Sequence, residues 1–168
     1  MIPVVSIVGK SNTGKTTFIE RMIPEFVRRG YRIAIIKHGA HGFDIDHEGK
    51  DTWRYRKAGA HTTLISSPRK VALIEDVEKD HNIEELREKY IKNVDIIVVE
   101  GYKGNPHPKI EIFRKERNNK LISTKDNNLM AVVSDDPVDI DVPCFATKNI
   151  KDLVDMIEKS FLKSECNL

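Results

Sequence analysis

Short, continuous apolar runs alternate along this chain with longer stretches in which apolar residues recur every three to four positions, the patterns of buried strands and amphipathic helices. Ile2 to Val8 is the first run. A helical pattern follows from Lys15 to Arg29, with Phe18, Ile19, Met22, Ile23, Phe26 and Val27 on one stripe and Gly30 placed to cap its end. Pro24 removes an amide donor and crowds the carbonyl of Glu20, so a kink or local loosening is expected there. Arg32 to Lys37 predicts a second strand; a polar loop then runs to Gly49, and Lys50 to Ala58 predicts a short helix. Thr62 to Ser66 and Lys70 to Glu75 flank Ser67-Pro68-Arg69 and predict a strand pair. Glu84 to Lys92 reads as a helix and Asp95 to Val99 as the most apolar strand after the first. Two more strands are predicted at Lys109 to Arg114 and Leu129 to Ser134. The turn-rich stretch between them, at Asn118, Asn119, Asp126, Asn127 and Asn128, is expected to be mobile. The last helix, Asn149 to Leu162, aligns Ile150, Leu153, Val154, Ile157 and Phe161.

Strands alternating with helices predict an α/β fold of three layers, a mostly parallel central sheet with helices on both faces. At 168 residues, without repeats or a dividing linker, residues 1–168 are expected to form a single domain. The 28 basic and 26 acidic residues are spread along the chain and leave a net charge of +2, which gives no electrostatic reason to expect nucleic acid. Arg28-Arg29 and Arg114-Lys115 read as solvated element ends. Cys144 and Cys166 match no metal spacing and are expected to be reduced thiols. No secretory segment, membrane-length apolar run or myristoylation glycine is present in the sequence. A soluble, unanchored cytoplasmic protein is expected.

Chemistry enters at Gly9-Lys10-Ser11-Asn12-Thr13-Gly14-Lys15-Thr16-Thr17, a GxxxxGK[ST] P-loop between the first strand and the first helix. Such a loop, including Ser11, Asn12 and Thr13, turns several backbone N–H groups toward phosphate oxygens at a helix N-terminus. Lys15 would place its charge on the β- and γ-phosphates, and the Thr16 hydroxyl would ligate magnesium. The expected fold is therefore a P-loop NTPase fold.

A second carboxylate is needed for the metal, and Asp95 and Glu100 stand at opposite ends of one strand, roughly 16 Å apart. Ligands in open α/β sheets sit beyond the carboxyl ends of strands, which favours Glu100. The loop from Lys37 to Asp51 holds three of the six histidines and four acids. It reads as a switch-like loop, with Asp44 or Asp46 reaching the magnesium shell and Lys37, His38 and Lys50 meeting phosphate or a second anionic substrate. A transition-metal site of His38, His41 and His47, or a plain solvated loop, are the other readings.

Several motifs in this order resemble the molybdopterin-guanine dinucleotide biosynthesis adaptor family, MobB. They are the P-loop, Lys37-His38, Phe43-Asp44-Ile45-Asp46, Gly49-Lys50-Asp51-Thr52, Arg54 with Ala58-Gly59-Ala60, Glu100-Gly101-Tyr102-Lys103 and Pro108-Lys109-Ile110-Glu111. The resemblance runs from Met1 to about Arg114 and more weakly through Leu129 to Asp136. It implies a GTP-binding P-loop NTPase of the SIMIBI class that forms homodimers and hydrolyses GTP weakly. It also implies a partner, the guanylyltransferase that joins GMP to molybdopterin, with molybdopterin itself a further candidate ligand. By position it assigns Gly9, Gly14, Lys15, Thr16 and Thr17 to phosphates and magnesium, and Glu100 to the metal or the attacking water. The loop from Lys37 to Asp51 is assigned to phosphate, pterin or partner contact.

Lys10 departs from the family's usual pattern and coincides with the signature lysine of deviant P-loops in dimeric ATPases such as the nitrogenase iron protein. It is a candidate to act in trans on a partner's phosphates, with an exposed loop lysine as the alternative. No NKxD motif is present to read guanine. Asp135, after the strand Leu129 to Ser134, and the loop Thr147-Lys148-Asn149 are candidate base readers, although Asp135-Asp136-Pro137 also makes a good turn by itself. Three functions follow: a nucleotide-dependent adaptor, a small-molecule kinase with its acceptor at the His38–Asp51 loop, and a metallochaperone GTPase. The adaptor is favoured.

Overall fold

Six of the chain's strands lie side by side in one parallel sheet. They are β1 (Val4–Val8), β2 (Ile33–Lys37), β5 (Ile96–Glu100), β6 (Lys109–Ile112), β7 (Leu129–Val133) and β8 (Cys144–Phe145), in the spatial order β2-β5-β1-β6-β7-β8. The computed structural model describes residues 1–39, 42–102, 104–117 and 120–163. The chain divides into two units, Met1–His38 with Arg87–Leu168, and Gly39–Leu86. The parallel α/β architecture predicted from the alternation of runs is the one that forms. The short strand β8 was not predicted, because two residues carry no periodicity.

The sheet is apolar on the face that meets helices α1 (Lys15–Arg28) and α4 (Ile150–Phe161). Val5, Ile7, Ile96, Val98, Ile110, Ile112, Ala131 and Val133 pack there against Phe18, Ile19, Met22 and Phe26 of α1 and Leu153, Val154 and Ile157 of α4. Helix α1 is one helix with Pro24 inside it. Pro24 and Glu20 are both exposed, so the carbonyl deprived of a donor is open to water and the helix continues. Arg29 is no solvated end. Its guanidinium meets Glu25 at 2.8 Å, Asp155 at 2.5 Å and Glu158 at 3.0 Å, and the Tyr31 hydroxyl donates to Glu158 at 2.7 Å. Hydrogen bonds from Arg28 and Arg29 hold the pKa of the Glu25 carboxyl at about 2.

The opposite face of the sheet buries polar side chains. Ser6, Lys109 and Glu111 alternate with the core residues and are almost completely buried. Lys109 Nζ pairs with Asp126 at 2.8 Å and donates to the Asn105 carbonyl at 2.5 Å, while Ser6 donates to Asn105 Oδ1 at 3.2 Å. The Glu111 carboxylate accepts from the amides of Ile122 and Ser123 at 2.8 and 2.9 Å. The β6–β7 connection, expected to be mobile, is therefore tethered from Ile122 to Asp126, while Asn118 and Asn119 lie outside the described residues.

The second unit contains helix α2 (Asp51–Lys57), an antiparallel pair β3 (Thr62–Ser66) and β4 (Val71–Glu75), and the start of α3 (Ile83–Tyr90). Ser67 closes the hairpin, its amide donating to the Lys70 carbonyl at 2.8 Å and its hydroxyl accepting from the Lys70 amide at 3.0 Å. Helix α3 starts with a reciprocal cap. Asn82 Oδ1 accepts from the Glu85 amide and Glu85 from the Asn82 amide, both at 2.9 Å. The predicted start at Glu84 missed this box by one residue.

Candidate functional site

Parallel pairing brings the carboxyl ends of the strands to one edge, with Ile7 and Lys37 both in register with Glu100 and Ile112 with Val133. The P-loop, Lys37-His38, Glu100 and the segment from Ser134 therefore share that edge. Ligands bind at such edges.

The loop from Gly9 to Gly14 is shaped by close approach. A Cβ on Gly9, at φ +146°, would lie 2.5 Å from the Ile112 carbonyl oxygen, so no other residue fits there. Asn12 (φ 63°) and the N-cap Gly14 (φ 92°) are also left-handed. Thr13 is buried and its hydroxyl donates to the Lys10 carbonyl at 2.9 Å. Lys15 Nζ folds back on the loop and donates to the carbonyls of Gly9 at 3.1 Å and Lys10 at 2.8 Å. The ammonium is thus held across the mouth of the loop, where a phosphate would meet it. Ser11, Thr16 and Thr17 lie on the same rim.

Glu100 is the last residue of β5, one position later than predicted, and its carboxylate faces the P-loop. The Thr16 hydroxyl donates to it, at 3.2 Å from Oε1 and 3.4 Å from Oε2, and Lys37 Nζ stands 3.7 Å from Oε2. Hydroxyl and carboxylate oxygens are the donors a magnesium ion takes, so Thr16 and Glu100 fit that ion. His38 continues the pairing, its amide donating to the Glu100 carbonyl at 2.9 Å, and its ring stacks on Tyr102 with centroids 4.1 Å apart. Tyr102 takes a left-handed φ of 46°, uncommon for a bulky residue and a mark of local strain.

Asp46 belongs to the second unit. Its Oδ1 accepts from the Thr52 hydroxyl and the His47 amide, each at 3.0 Å, and its Oδ2 is buried without a hydrogen-bond partner among the described residues. Asp44 is exposed. Of the three histidines read as a metal site, His41 lies outside the described residues. Among the described residues no three His, Cys, Asp or Glu side chains converge on one position.

The two candidate base-reading segments meet each other. Asp135 accepts from the Thr147 amide at 2.8 Å and its hydroxyl at 2.5 Å, and these bonds, helped by the Arg114 and Lys148 charges, hold the Asp135 carboxyl below its usual range. Asp136 instead caps the Lys115 amide at 2.8 Å. Arg114, read from sequence as a solvated end, is exposed as expected and also lies against Gly14 of the P-loop. Its place directly after a strand ending on the phosphate edge was the available signal.

A strand, glycine loop and helix at the carboxyl edge of a parallel sheet define the P-loop class of nucleotide-binding α/β folds. The family described as "Molybdopterin guanine dinucleotide synthesis protein B", MobB, matches residues 4–135, and the chain belongs to that family. It is 34% identical to the molybdopterin-guanine dinucleotide biosynthesis adapter protein of Haemophilus influenzae, over 94% of this chain and 88% of that protein. Identity to the adapter protein of Escherichia coli is also 34%, over 94% of this chain and 92% of that protein. The crystal structure of Bacillus subtilis MobB superposes with a TM-score of 0.77 at 32% identity, covering 97% of this chain and 99% of that one. Among the described residues no helix is long and apolar enough to cross a membrane.

Proposed function

We propose that this chain is a GTP-binding adaptor in molybdopterin guanine dinucleotide assembly, its residues 1–168 acting as one nucleotide-binding domain that assists the guanylyltransferase joining GMP to molybdopterin. The observation that carries the reading is the Thr16 hydroxyl of the P-loop facing the Glu100 carboxylate at 3.2 Å. Membership of a family whose relatives are adapter proteins of this synthesis supports the biological role.

In this reading the amides from Gly9 to Thr17 cradle the phosphates and Lys15 exchanges its two loop carbonyls for phosphate oxygens. Thr16 and Glu100 would hold magnesium. Bound magnesium neutralises charge on the β- and γ-phosphoryl oxygens. Lys37 balances Glu100 at 3.7 Å, His38 contacts phosphate or pterin, and Asp135 accepts from the guanine edge. A carboxylate has lone pairs to spare beyond those taken by Thr147.

Hydrolysis is slow. The chain contains no glutamine, the side chain that orients attacking water in fast GTPases, so a partner would supply that group. Lys10 gives its carbonyl to the loop while its side chain is exposed, which leaves the ammonium for a second copy's phosphates. The homodimer has an available contact in the β3–β4 hairpin, where Leu64, Val71 and Leu73 are exposed. If Lys10→Ala alters neither hydrolysis nor dimerisation, its trans role is wrong.

The test of the whole reading is a calorimetric titration of GTP and of ATP, each with magnesium, into wild type and Lys15→Ala. A preference for GTP that the variant loses supports the adaptor. Preference for ATP, or none, overturns the guanine reading and brings a kinase forward.

A further inference from the structure

We infer that Arg114 is a nucleotide-binding residue that grips the ligand between its phosphate tail and its base; the assignment rests on the nucleotide reading of the P-loop. Arg114 follows β6 at the ligand edge. A Cβ on Gly14 would lie 3.2 Å from Arg114 Nη2, 3.5 Å from Cζ and 3.7 Å from Nε, so the guanidinium lies across the N-cap of α1.

The Arg114 side chain is 45% exposed and water screens its charge, but the local field still favours an anion there. The N-terminus of α1 carries the positive end of the helix dipole, and the next residue is Lys15. Little of the protein's own negative charge compensates it. Glu116 approaches only to 4.0 Å, and Asp135, which the Arg114 charge reaches, directs its carboxylate oxygens at Thr147. An anion that touches both the helix N-terminus and the guanidinium turns this repulsion into a charge-assisted contact.

The strand order says which part of the ligand that is. Thr16, Glu100 and Lys37 lie toward β5 and β2, whereas Arg114 and Asp135 follow β6 and β7, on the other side of β1. A nucleotide with its terminal phosphates at Thr16 and Glu100 and its base toward Asp135 passes its α-phosphate and ribose beside Arg114. Gly14 is then needed for two reasons: its left-handed φ, and the room it leaves for this side chain.

The experiment titrates GTP, GDP and GMP, with magnesium, into wild type, Arg114→Ala, Arg114→Lys and Lys15→Ala. Ligand-free thermal unfolding checks that each variant folds. Arg114→Ala is expected to weaken GTP and GDP by the same factor, on the order of tenfold to a hundredfold. Arg114→Lys keeps the charge without the fork and recovers only part of the loss. Lys15→Ala, by contrast, weakens GTP more than GMP. Unchanged affinity in a folded Arg114→Ala, while wild type binds, overturns the assignment. A loss confined to GTP also overturns it, since the guanidinium would then serve the terminal phosphate. A wild-type chain that binds none of the three overturns the nucleotide reading itself.

Discussion

The six-stranded sheet and the β3–β4 hairpin are both written in apolar residues, yet they end up in opposite environments. Every residue of β1 is buried, whereas in β3 and β4 only Thr63 is, and Leu64, Ile65, Val71 and Leu73 are exposed. The sheet owes its burial to α1 and α4, whose stripes cover its apolar face. The β3–β4 ribbon meets helix α2 along β3, yet its outer edges are unpaired by other strands and most of its residues stay exposed, and two-stranded hairpins are marginal alone in water. The lesson is that apolar alternation specifies a strand, while burial depends on what the rest of the chain brings to its face. The sheet is built for stability, and the hairpin leaves its apolar residues open to another molecule.

The sharpest way to break this contrast is a pair of matched truncations. Ile7→Ala is expected to cost about 2–5 kcal/mol in urea unfolding, through lost burial and the cavity left behind, while Leu64→Ala should stay within about 0.5 kcal/mol. Equal losses would mean that the hairpin face is packed after all. Next in size is Glu111→Ala on the polar face of the sheet. It orphans the amides of Ile122 and Ser123, at about 1–3 kcal/mol for each donor left unpaired, and hydrogen exchange at those two amides should rise.

Acid should act on the sheet unit through its helix pair. Arg28 and Arg29 hold the pKa of Glu25 at about 2, against an ordinary 4.5, and the Tyr31 hydroxyl and Lys163 lower that of Glu158. Carboxylates depressed in this way stabilise the fold fully above the unfolded value near 4.5, and that contribution is lost as pH falls toward 2. The melting temperature is expected to drop across that window, and Glu25→Gln should flatten the drop. A small stability effect is also expected for Leu64→Lys with Leu73→Glu, directly opposite each other with complementary charge. Unfolding should move by less than about 1 kcal/mol, while the homodimer proposed above, followed by sedimentation equilibrium, should show a smaller dimer fraction. A dimer that survives would move the contact off the hairpin.

Legibility differed in the same way at the candidate site. The P-loop was readable because its chemistry is local: glycine spacing, lysine and hydroxyl all lie within one turn of chain. Glu100 was readable because strand direction alone decides which end of β5 meets the loop. The ion pairs of Arg29 with Asp155 and Glu158, the approach of Arg114 to Gly14 and the pair of Lys109 with Asp126 were not, because each joins residues far apart in the chain.

By itself the sequence determined the parallel α/β architecture, the phosphate loop and the carboxylate opposite it, because hydrophobic period and local backbone chemistry act within a few residues. Only the tertiary structure decided that Thr147 meets Asp135, that Arg114 lies across Gly14, and that a lysine and a glutamate inside β6 anchor the following loop. Those outcomes depend on which strands become neighbours and in what register, a long-range choice set by competition among many weak contacts.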